Sequence, residues 1–352
     1  MAFGGGVFVT QNKALPGAYI NFVNASNASA TIGDRGVVAI PYALGKSAGT
    51  VLEVTKAEFL KDSSTILGME YSSDNAKPFR EIFTHATKCI VYDLGTGGTV
   101  KTAADAVSAL EPYDFNVLAV YTSTTVDITT YTTAVKTWRD AGKKCQAVVY
   151  GGGTGFTAPN HEGIINVVST VSDSGAIGHE LVAWVAGAEA GCAINSSCTN
   201  MIYDGEYTVK CDKTQAQLED CIEGGQLAFH LVYGDVRVLE DINSLTETTA
   251  DKGDDFKSNQ TIRVIDQVAN DIAKLFNTKY LGKIPNNASG RVSLWGDIVA
   301  HHRELETMQA IENFDSSLVT VEQGNSKKAV VVNDAIQVVN AMTQLYMTIV
   351  IQ

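Results

Sequence analysis

Residues 224–246, GGQLAFHLVYGDVRVLEDINSLT, predict the joint around which the rest of the chain is organised. Apolar side chains recur at every second position on both sides of a Gly234-Asp235 pair: Leu227, Phe229, Leu231 and Tyr233 before it, and Val236, Val238 and Ile242 after it. Two alternating runs joined by two turn-forming residues predict a β-hairpin with Gly234-Asp235 as its turn. The polar run Asn243-Ser244-Leu245-Thr246 ends its second half.

The half of the chain before this hairpin alternates apolar strands with amphipathic helices. Strands are predicted at residues 36–42, 50–54, 89–94, 116–122, 145–150 and 163–169, and helices at 55–67, 75–87, 103–110, 128–141, 176–190 and 214–223. Thr55 with Glu58, and Thr214 with Gln217, have the spacing of capping boxes, which mark helix starts. This alternation predicts a parallel sheet with helices on both faces.

The half after the hairpin is more charged. A polar linker at 246–255 is followed by predicted helices at 256–276 and 298–308, with a loop at 281–291 between them. Strands are predicted at 318–322, 329–332 and 344–352, the last with the apolar sequence QLYMTIVIQ. At the other end, the short strand-like runs 7–10 and 18–22 predict either a frayed terminus with an edge strand or an arm that pairs with another chain.

Length and composition limit the classes of function. A chain of 352 residues has the size of two domains, and its 45% hydrophobic and 18% charged residues are typical of a globular protein. The net charge of −13 argues against a nucleic-acid partner. No apolar run has the length of a membrane span, and the first residues lack a signal-peptide pattern. We therefore expect synthesis and folding in a cytoplasm, without membrane contact.

The cysteines predict neither a disulfide framework nor a metal site. There are six: Cys89, Cys145, Cys192, Cys198, Cys211 and Cys221. They are too sparse for a disulfide-stabilised fold of this size, and their spacing matches no zinc motif. We expect reduced, mostly buried thiols and no bound metal.

The loops that could bind phosphate lack the residues that this chemistry needs. Residues 95–99, GTGGT, follow a predicted strand, but they lack the Lys-Ser/Thr ending of a P-loop and the third glycine of a dinucleotide fingerprint. Residues 151–155 are glycine-rich but do not open a helix. Tight turns are the favoured interpretation, and nucleotide binding is the less favoured alternative.

A protease site is also weakly supported. Asp173-Ser174-Gly175 resembles a protease motif, and His161, His179 and His230 could supply a base. No nucleophile elbow of the Gly-x-Ser-x-Gly type occurs, so a turn before a helix is favoured. His301-His302 does not have the HExxH spacing; we expect the two rings to point apart on a solvated helix face. No catalytic or cofactor-binding residue is therefore predicted.

The order of the parts resembles the contractile tail sheath proteins of phages and R-type bacteriocins, and most closely the small sheaths of Gram-positive phages and phage-tail-like particles. The stretches that carry the resemblance are Pro16-Gly17-Ala18-Tyr19 with residues 33–41, residues 116–120 with 146–149 and 162–167, the hairpin residues 236–246, and the terminal residues 345–348. Together they cover nearly the whole chain. Many relatives carry an outer β-sandwich after the first βα unit, and here residues 97–101 run directly into the next helix, so we expect that insertion to be absent.

The resemblance implies an α/β plus α+β fold with a subtilisin-like α/β core that lacks the protease triad. It implies an N-terminal arm at 1–30, the core at 31–223, a C-terminal α+β domain at 224–340 and a C-terminal arm at 341–352. The arms would add strands to neighbouring subunits through Val7, Phe8, Val9, Tyr19, Ile20, Phe22, Leu345, Tyr346, Met347, Thr348, Ile349 and Val350. Exposed terminal strands suit this strand addition on physical grounds as well.

The implied function is structural. The subunit would polymerise as stacked rings around a tail tube and contract to drive the tube through a target cell envelope, without catalysis or cofactor. Its partners would be further copies of itself, the tube protein, and baseplate and tail terminator proteins. The particle would be assembled in the host cytoplasm, and residues 293–314 are the candidate contact with the tube. Two other classes stay open: an α/β hydrolase or nucleotide-binding enzyme with an added C-terminal domain, and a capsid or tube protein that assembles by strand exchange.

Overall fold

The regular elements follow the predicted alternation of strands and helices through most of the chain. The computed structural model describes residues 32–152 and 155–351. The strands are β1 (Val37–Tyr42), β2 (Val51–Thr55), β3 (Lys88–Asp93), β4 (Val117–Ala119), β5 (Gln146–Tyr150), β6 (Ile164–Val167), β7 (Gln226–Leu227), β8 (Phe229–Val232), β9 (Asp235–Val238), β10 (Ile311–Glu312), β11 (Thr320–Gln323), β12 (Val330–Asn333) and β13 (Gln337–Val338). The helices are α1 (Lys56–Leu67), α2 (Lys77–His85), α3 (Ala103–Leu110), α4 (Thr125–Asp140), α5 (Leu181–Gly191), α6 (Gln215–Glu223), α7 (Asn259–Leu275) and α8 (Ala288–Thr307). None of these helices is long and apolar enough to cross a lipid bilayer.

One sheet of seven strands organises the first half of the molecule. Its order is β2-β3-β1-β4-β5-β6-β7, and every neighbouring pair is parallel except β2 with β3. A large apolar cluster that includes Phe79 and Trp184 covers one face, and a second cluster that includes Tyr131 and Trp138 covers the other. The mixed α/β fold with a parallel sheet is therefore confirmed, and the sheet's near-continuous apolar strands are explained by burial on both sides.

Local sequence signals set the helix starts. Thr55, Thr102 and Thr214 each cap a helix and form the reciprocal bonds of a capping box. Helix α5 begins at Leu181, five residues later than predicted, because Glu180 Oε2 accepts the N–H groups of Ile177 and Gly178 and holds them in a turn. Every residue of α5 from Leu181 to Ala190 is buried, which explains why its pattern has no polar side.

The predicted hairpin is present, but its turn lies one residue earlier than expected. Strands β8 and β9 are antiparallel, with Phe229 opposite Val238 and Val232 opposite Asp235. The turn is therefore Tyr233-Gly234, and both residues have positive φ angles, 51° and 96°. A two-residue turn of type I′ needs positive φ at both positions. The prediction of Gly234-Asp235 was wrong because Asp235 is already paired in β9.

The second half departs further from the predicted boundaries. Helix α8 begins after Asn287, whose side chain accepts the N–H of Gly290, so the helix includes ten residues that were assigned to a loop or left unassigned before 298. The N-cap at Asn287 and the packing of Leu294 stabilise this longer helix. The strands predicted at 318–322 and 329–332 are present as β11 and β12, which pair with each other, whereas the two-residue strands β10 and β13 were not predicted.

The long helix α7 joins the two halves through buried polar contacts. Arg139, on α4, donates two hydrogen bonds to Asp266 at 2.5 and 2.9 Å. Gln146 at the start of β5 donates to Asn259 at 3.0 Å, and Asn270 donates to the Lys144 carbonyl. These contacts fix α7 against the edge of the sheet where β5 begins.

Replacing Tyr233 tests the assignment of the hairpin turn. A tyrosine with φ of 51° is strained, and its side chain is fully exposed, so it has no compensating contacts within the chain. Tyr233→Asn should raise the free energy of unfolding by about 0.5–1 kcal/mol, since asparagine tolerates this backbone region. The measurement is urea unfolding of the unassembled chain.

The control for this test is Tyr346→Asn, at an exposed tyrosine that is not in the positive-φ region. It should change the free energy of unfolding by less than about 0.5 kcal/mol. A Tyr233→Asn variant less stable than wild type would show that the ring packs against its own chain and would contradict the assignment.

Candidate functional site

Asp93, at the end of β3, binds backbone N–H groups of two loops. It accepts from Leu44, Gly45, Lys46 and Ser47, in the loop after β1, at 2.6–3.0 Å, and from Gly95 at 2.7 Å. Burial alone would raise the pKa of Asp93, but these donors outweigh it and hold the pKa below its usual value. Gly95, the first residue of the candidate phosphate loop, thus already donates its N–H to a carboxylate of the protein itself.

Tyrosine rings fill the carboxyl-terminal edge of the sheet, where α/β enzymes commonly bind their substrates. Tyr121, just beyond β4, packs against Tyr42 with ring centroids 5.7 Å apart, and its hydroxyl lies 3.5 Å from that of Tyr207. Burial raises the pKa of Tyr121, and burial raises that of Tyr207 to about 12. Groups with such values are poor proton donors or acceptors near neutral pH. This edge is a packed aromatic cluster.

The residues that suggested a protease are held apart by structural roles. Asp173 accepts the backbone N–H of Thr208 at 2.7 Å, and His161 accepts the N–H of Gly163 at 2.9 Å. His179 lies against the ring of Tyr121, and burial lowers its pKa. Within residues 32–152 and 155–351, Ser174 makes no hydrogen bond to a histidine. The arrangement needed for an activated serine is not formed there.

The expectation for His301 and His302 was wrong. Both side chains are completely buried, and their Nδ1 atoms lie 3.2 Å apart instead of pointing away from each other. His301 Nε2 is 3.0 Å from Asp271, and His302 Nε2 is 2.6 Å from Asp334. The physical reason is that one side of α8 packs on α7 and another packs against the β12–β13 connection. Carboxyl groups from these two elements therefore form hydrogen bonds with the rings that were expected to face solvent.

A buried ionic cluster around Arg263 was not predicted at all. Arg263 Nη2 donates to Glu189 at 2.7 Å and to Asp241 at 3.2 Å, and Nη1 donates to the Ser196 carbonyl at 2.6 Å. All three charged side chains are at most 1% exposed. A signal was present in the sequence, since Glu189 is the lone charge in the apolar run LVAWVAGAEAG and such a residue needs a buried partner.

Ligand atoms of Glu189, Cys198 and Asp241 lie within 4.8 Å of one another, which is the geometry of a candidate metal site. The guanidinium of Arg263 already provides the positive charge there and lies 3.8 Å from the Cys198 sulfur. A cation would have to displace it, so the residues present do not fit a metal. The six cysteines are all free thiols.

The pKa values of the two carboxyl groups in the cluster are shifted in opposite directions. Burial first, and then the neighbouring Asp241 charge, raise the pKa of Glu189 well above 4.5. Burial also acts to raise the pKa of Asp241, but the charge of Arg263 and the N–H of Cys198 outweigh it and lower that pKa. Asp241 is therefore the carboxylate that Arg263 stabilises more strongly in its ionised form.

The most exposed apolar surface is the C-terminal segment. Residues 341–351 form no helix or strand within the described chain. Leu345 and Tyr346 are 85% and 87% exposed, and Met347, Ile349, Val350 and Ile351 are also exposed. Thr348 lies in the same exposed run. The N-terminal arm residues Val7, Phe8, Val9, Tyr19, Ile20 and Phe22 lie outside the described residues.

The anchor of this segment is well defined. Gln260, buried on α7, donates to the Val339 carbonyl and accepts the Ala341 N–H at 2.9 Å. Thr261 bonds to Asn340 at 3.1 Å. The chain is thus held up to residue 341 and extends from there as an exposed apolar strand-like segment.

Comparison with known proteins identifies the family. The family model described as "Phage tail sheath protein central domain" matches residues 97–244, and the one described as "Phage tail sheath C-terminal domain" matches residues 251–352. The chain belongs to the phage tail sheath family. The sheath chain is 27% identical over 255 residues to the tail sheath protein of Clostridium phage phiCD119, covering 69% of each.

The chain is also similar to a Bacillus protein in sequence and to two solved sheath structures in fold. The Bacillus subtilis protein YqbK is 30% identical over 275 residues, covering 72% of this sheath chain and 58% of YqbK, so the chain spans somewhat over half the length of that relative. The sheath tail protein of Desulfitobacterium hafniense has the same fold, with a TM-score of 0.79 at 24% identity, covering 93% and 98% of the two chains. The contracted helical sheath of the anti-feeding prophage has a TM-score of 0.73 at 13% identity, covering 96% and 99%.

A matched pair of isosteric variants tests the protonation of the cluster. Glu189→Gln removes a charge that burial already disfavours, keeps an acceptor for Arg263, and should leave the free energy of unfolding at pH 5 within about 1 kcal/mol of wild type. Asp241→Asn removes the charge that balances Arg263 and should cost on the order of 3 kcal/mol. Equal losses in both, or a larger loss in Glu189→Gln, would reverse the assignment.

The pH dependence of the same variants follows from the direction of the shift. Folding raises the pKa of Glu189, so the wild-type free energy of unfolding should fall as pH rises above about 4.5, the usual value, towards the folded pKa. Glutamine does not titrate. The stability of Glu189→Gln relative to wild type should therefore increase from pH 5 to pH 9, as measured by urea unfolding at each pH.

The absence of a protease arrangement predicts that Ser174→Ala and His179→Ala have no effect on function. Purified sheath chain should show no hydrolysis of peptide, ester or nucleoside triphosphate substrates above a buffer blank. A hydrolytic rate that disappears in either variant would contradict the structural interpretation.

Proposed function

We propose that this chain is a structural subunit that polymerises as stacked rings around a tail tube and contracts to drive the tube through a target cell envelope. The observation that carries the proposal is the apolar segment 341–351, which is exposed and unpaired within its own described chain. Membership of the sheath family supplies the kind of assembly in which such a segment has a partner.

The exposed segment favours pairing with a neighbour on energetic grounds. A flat apolar strand with free backbone groups is an aggregation hazard for a monomer. When it adds to another subunit's sheet, each hydrogen bond contributes about 0.5–1.5 kcal/mol and each buried apolar side chain about 1.5–3 kcal/mol. Ten residues beyond the anchor at Ala341 reach roughly 33 Å when extended, which is enough to cross to an adjacent molecule.

The hairpin β11–β12 is the sheet that we propose receives the arm. An isolated two-stranded hairpin is marginally stable in water. Its pairing leaves Val331 and Val332 47% and 38% exposed, and Leu318, just before β11, is also exposed. Further strands from a neighbour would cover these side chains. We propose that Val7, Phe8, Val9, Tyr19, Ile20 and Phe22 supply the second added strand of the same mesh.

The assembly follows from the geometry of such an exchange. A segment that binds a different surface on the next copy makes a heterologous contact, and repeated heterologous contacts that do not close produce a helical polymer. The exposed side of α8, within residues 293–314, is our candidate contact with the tube protein. The ends of the polymer would bind baseplate and terminator proteins.

The same proposal includes the domain boundaries, the terminal arms and the missing insertion that the resemblance implies. The α/β unit at 31–223 would follow a subtilisin-like path, with an α+β domain at 224–340, arms at both ends, and no outer β-sandwich. The direct connection of β3 to α3 through residues 94–102 supports the last point. The subunit would assemble in the host cytoplasm, without catalysis, cofactor or nucleic-acid contact, into a phage tail or phage-tail-like particle.

Deleting residues 345–352 tests the proposal. Polymerisation should be abolished while the circular dichroism and melting temperature of the chain stay within about 2 °C of wild type, because the segment makes few contacts in its own subunit. Negative-stain electron microscopy would show tubes or rings for wild type and dispersed particles for the truncated chain.

A shorter deletion, of residues 351–352 alone, is the matched control and should still form tubes. Persisting tubes after the longer deletion would exclude the C-terminal arm as the assembly element. Loss of folding would show that the segment belongs to the core of its own subunit.

A further inference from the structure

Four side chains form a continuous buried chain of hydrogen bonds between α7, α8 and the connection between β12 and β13. Asp271 Oδ2 lies 3.0 Å from His301 Nε2, the two histidine Nδ1 atoms are 3.2 Å apart, and His302 Nε2 is 2.6 Å from Asp334 Oδ2. Both rings are completely buried, and the ring of Phe314 packs edge-on against His302. Asp334, with 26% of its side chain exposed, is the member nearest to solvent.

The geometry of these three hydrogen bonds fixes the number of protons that the four side chains hold. Each of its three contacts is a hydrogen bond only if one proton lies in it. Carboxylates supply none when ionised, so the two rings must carry three ring protons between them, one more than two neutral imidazoles. If the two rings carry only two protons, one of the three contacts has a lone pair on each side and no proton between them. If the rings carry four protons, both Nδ1 atoms are protonated and their N–H groups face each other. Either change breaks a buried contact.

The surrounding charges are compatible with one extra proton on the ring pair. On α7, Asp271 also accepts the Gly33 N–H and bonds from Gln267, which in turn accepts from Arg35. Asp334 faces the pair from the β12–β13 connection. On α8 itself, Arg303 is exposed and Glu306 accepts the Phe314 N–H. Two carboxyl groups, one from α7 and one from the β12–β13 connection, therefore face the ring pair.

The four hydrogen-bonded side chains contact Gly33, near the start of the described residues, and include Asp334, in the segment that leads to Ala341. Gly33 lies near the start of the described residues, and a Cβ at this position would lie 2.6 Å from Asp271 Oδ1, so a larger residue would have to displace that carboxyl group. Asp334 lies directly after β12, in the segment that leads through β13 to the anchor at Ala341.

We propose that Asp271, His301, His302 and Asp334 form a proton-operated latch that holds the segment from 334 to 341 in place, so that gain or loss of one proton loosens the base of the C-terminal arm. Its role in assembly rests on the proposed function of that arm. The latch itself is a property of the single subunit and is testable without polymerisation.

The consequence of a proton change is local. A fourth proton places two N–H groups against each other, and His302 turns outward because its partner Asp334 is the one that reaches solvent. Loss of the third proton leaves one of the three contacts unmade. In both cases β13 loses support, including the bond from the Val339 N–H to the Ala310 carbonyl.

Amide hydrogen exchange of the unassembled full-length chain tests this directly. Protection factors, corrected for intrinsic exchange, should be measured from pH 5 to pH 9 for peptides covering 334–341 and, as a reference region, 226–238. We expect protection of 334–341 to pass through a maximum and to fall at least tenfold on one or both sides, while the reference changes less than threefold. Protection that stays flat over this range would overturn the proposal.

Two variants and a matched control separate the latch from general instability. His302→Gln can still donate to Asp334 but cannot bridge to His301, so protection of 334–341 should be low and independent of pH. Asp334→Asn keeps an acceptor and removes one of the two carboxylates that face the ring pair, so the pH profile of protection should differ from that of wild type. His85→Gln, at a partly buried ring paired with Asp204 and outside this set of hydrogen bonds, should behave as wild type.

The outcome is informative even if His302→Gln does not fold, because Asp334 lies at the surface. A wild-type pH profile in Asp334→Asn would contradict the latch. So would a His302→Gln protein that folds and keeps the maximum. None of these results depends on tube formation, so a failed arm deletion and a failed latch are distinguishable.

Discussion

The buried contact of Arg263 with Glu189 and Asp241 is the constraint on which the rest of the molecule depends. It joins α7 to α5 and to the segment after the hairpin, at a place where none of the three side chains reaches water. A buried charge that loses its partner costs about 3–5 kcal/mol, a large part of the stability of a typical domain. Separating α7 from the α/β unit therefore has a large energetic cost, and the Arg139–Asp266 pair is a second buried ionic contact between them.

A subunit whose halves stay joined suits the proposed function, in which contraction changes the lattice while subunits move as bodies. In that proposal the connection between subunits is the segment beyond Ala341, which α7 anchors through Gln260 and Thr261. The same helix thus bears the buried ionic contact and the polar pair that fixes the base of this segment.

Regular alternation made the first half predictable. Strands β1 to β6 and the capped starts of α1 and α6 could be placed because burial on two faces and the capping boxes leave clear patterns. The features that sequence did not indicate depend on distant partners. Asp93 meets its backbone donors only in the folded loop, and His301 and His302 become buried only because Asp271 and Asp334 approach from other elements. Tyr233 was misplaced because the strand pairing, and not the preference of the residue, decides the turn.

High-resolution cryo-electron microscopy of the assembled polymer tests the central claim most directly. The account predicts that residues 345–350 of one subunit appear as a strand paired with β11–β12 of a neighbour, while α7 and the seven-stranded sheet superimpose on the isolated subunit. A terminal segment folded onto its own subunit, or a polymer in which the Arg263 cluster is broken and α7 has moved relative to the sheet, would contradict it.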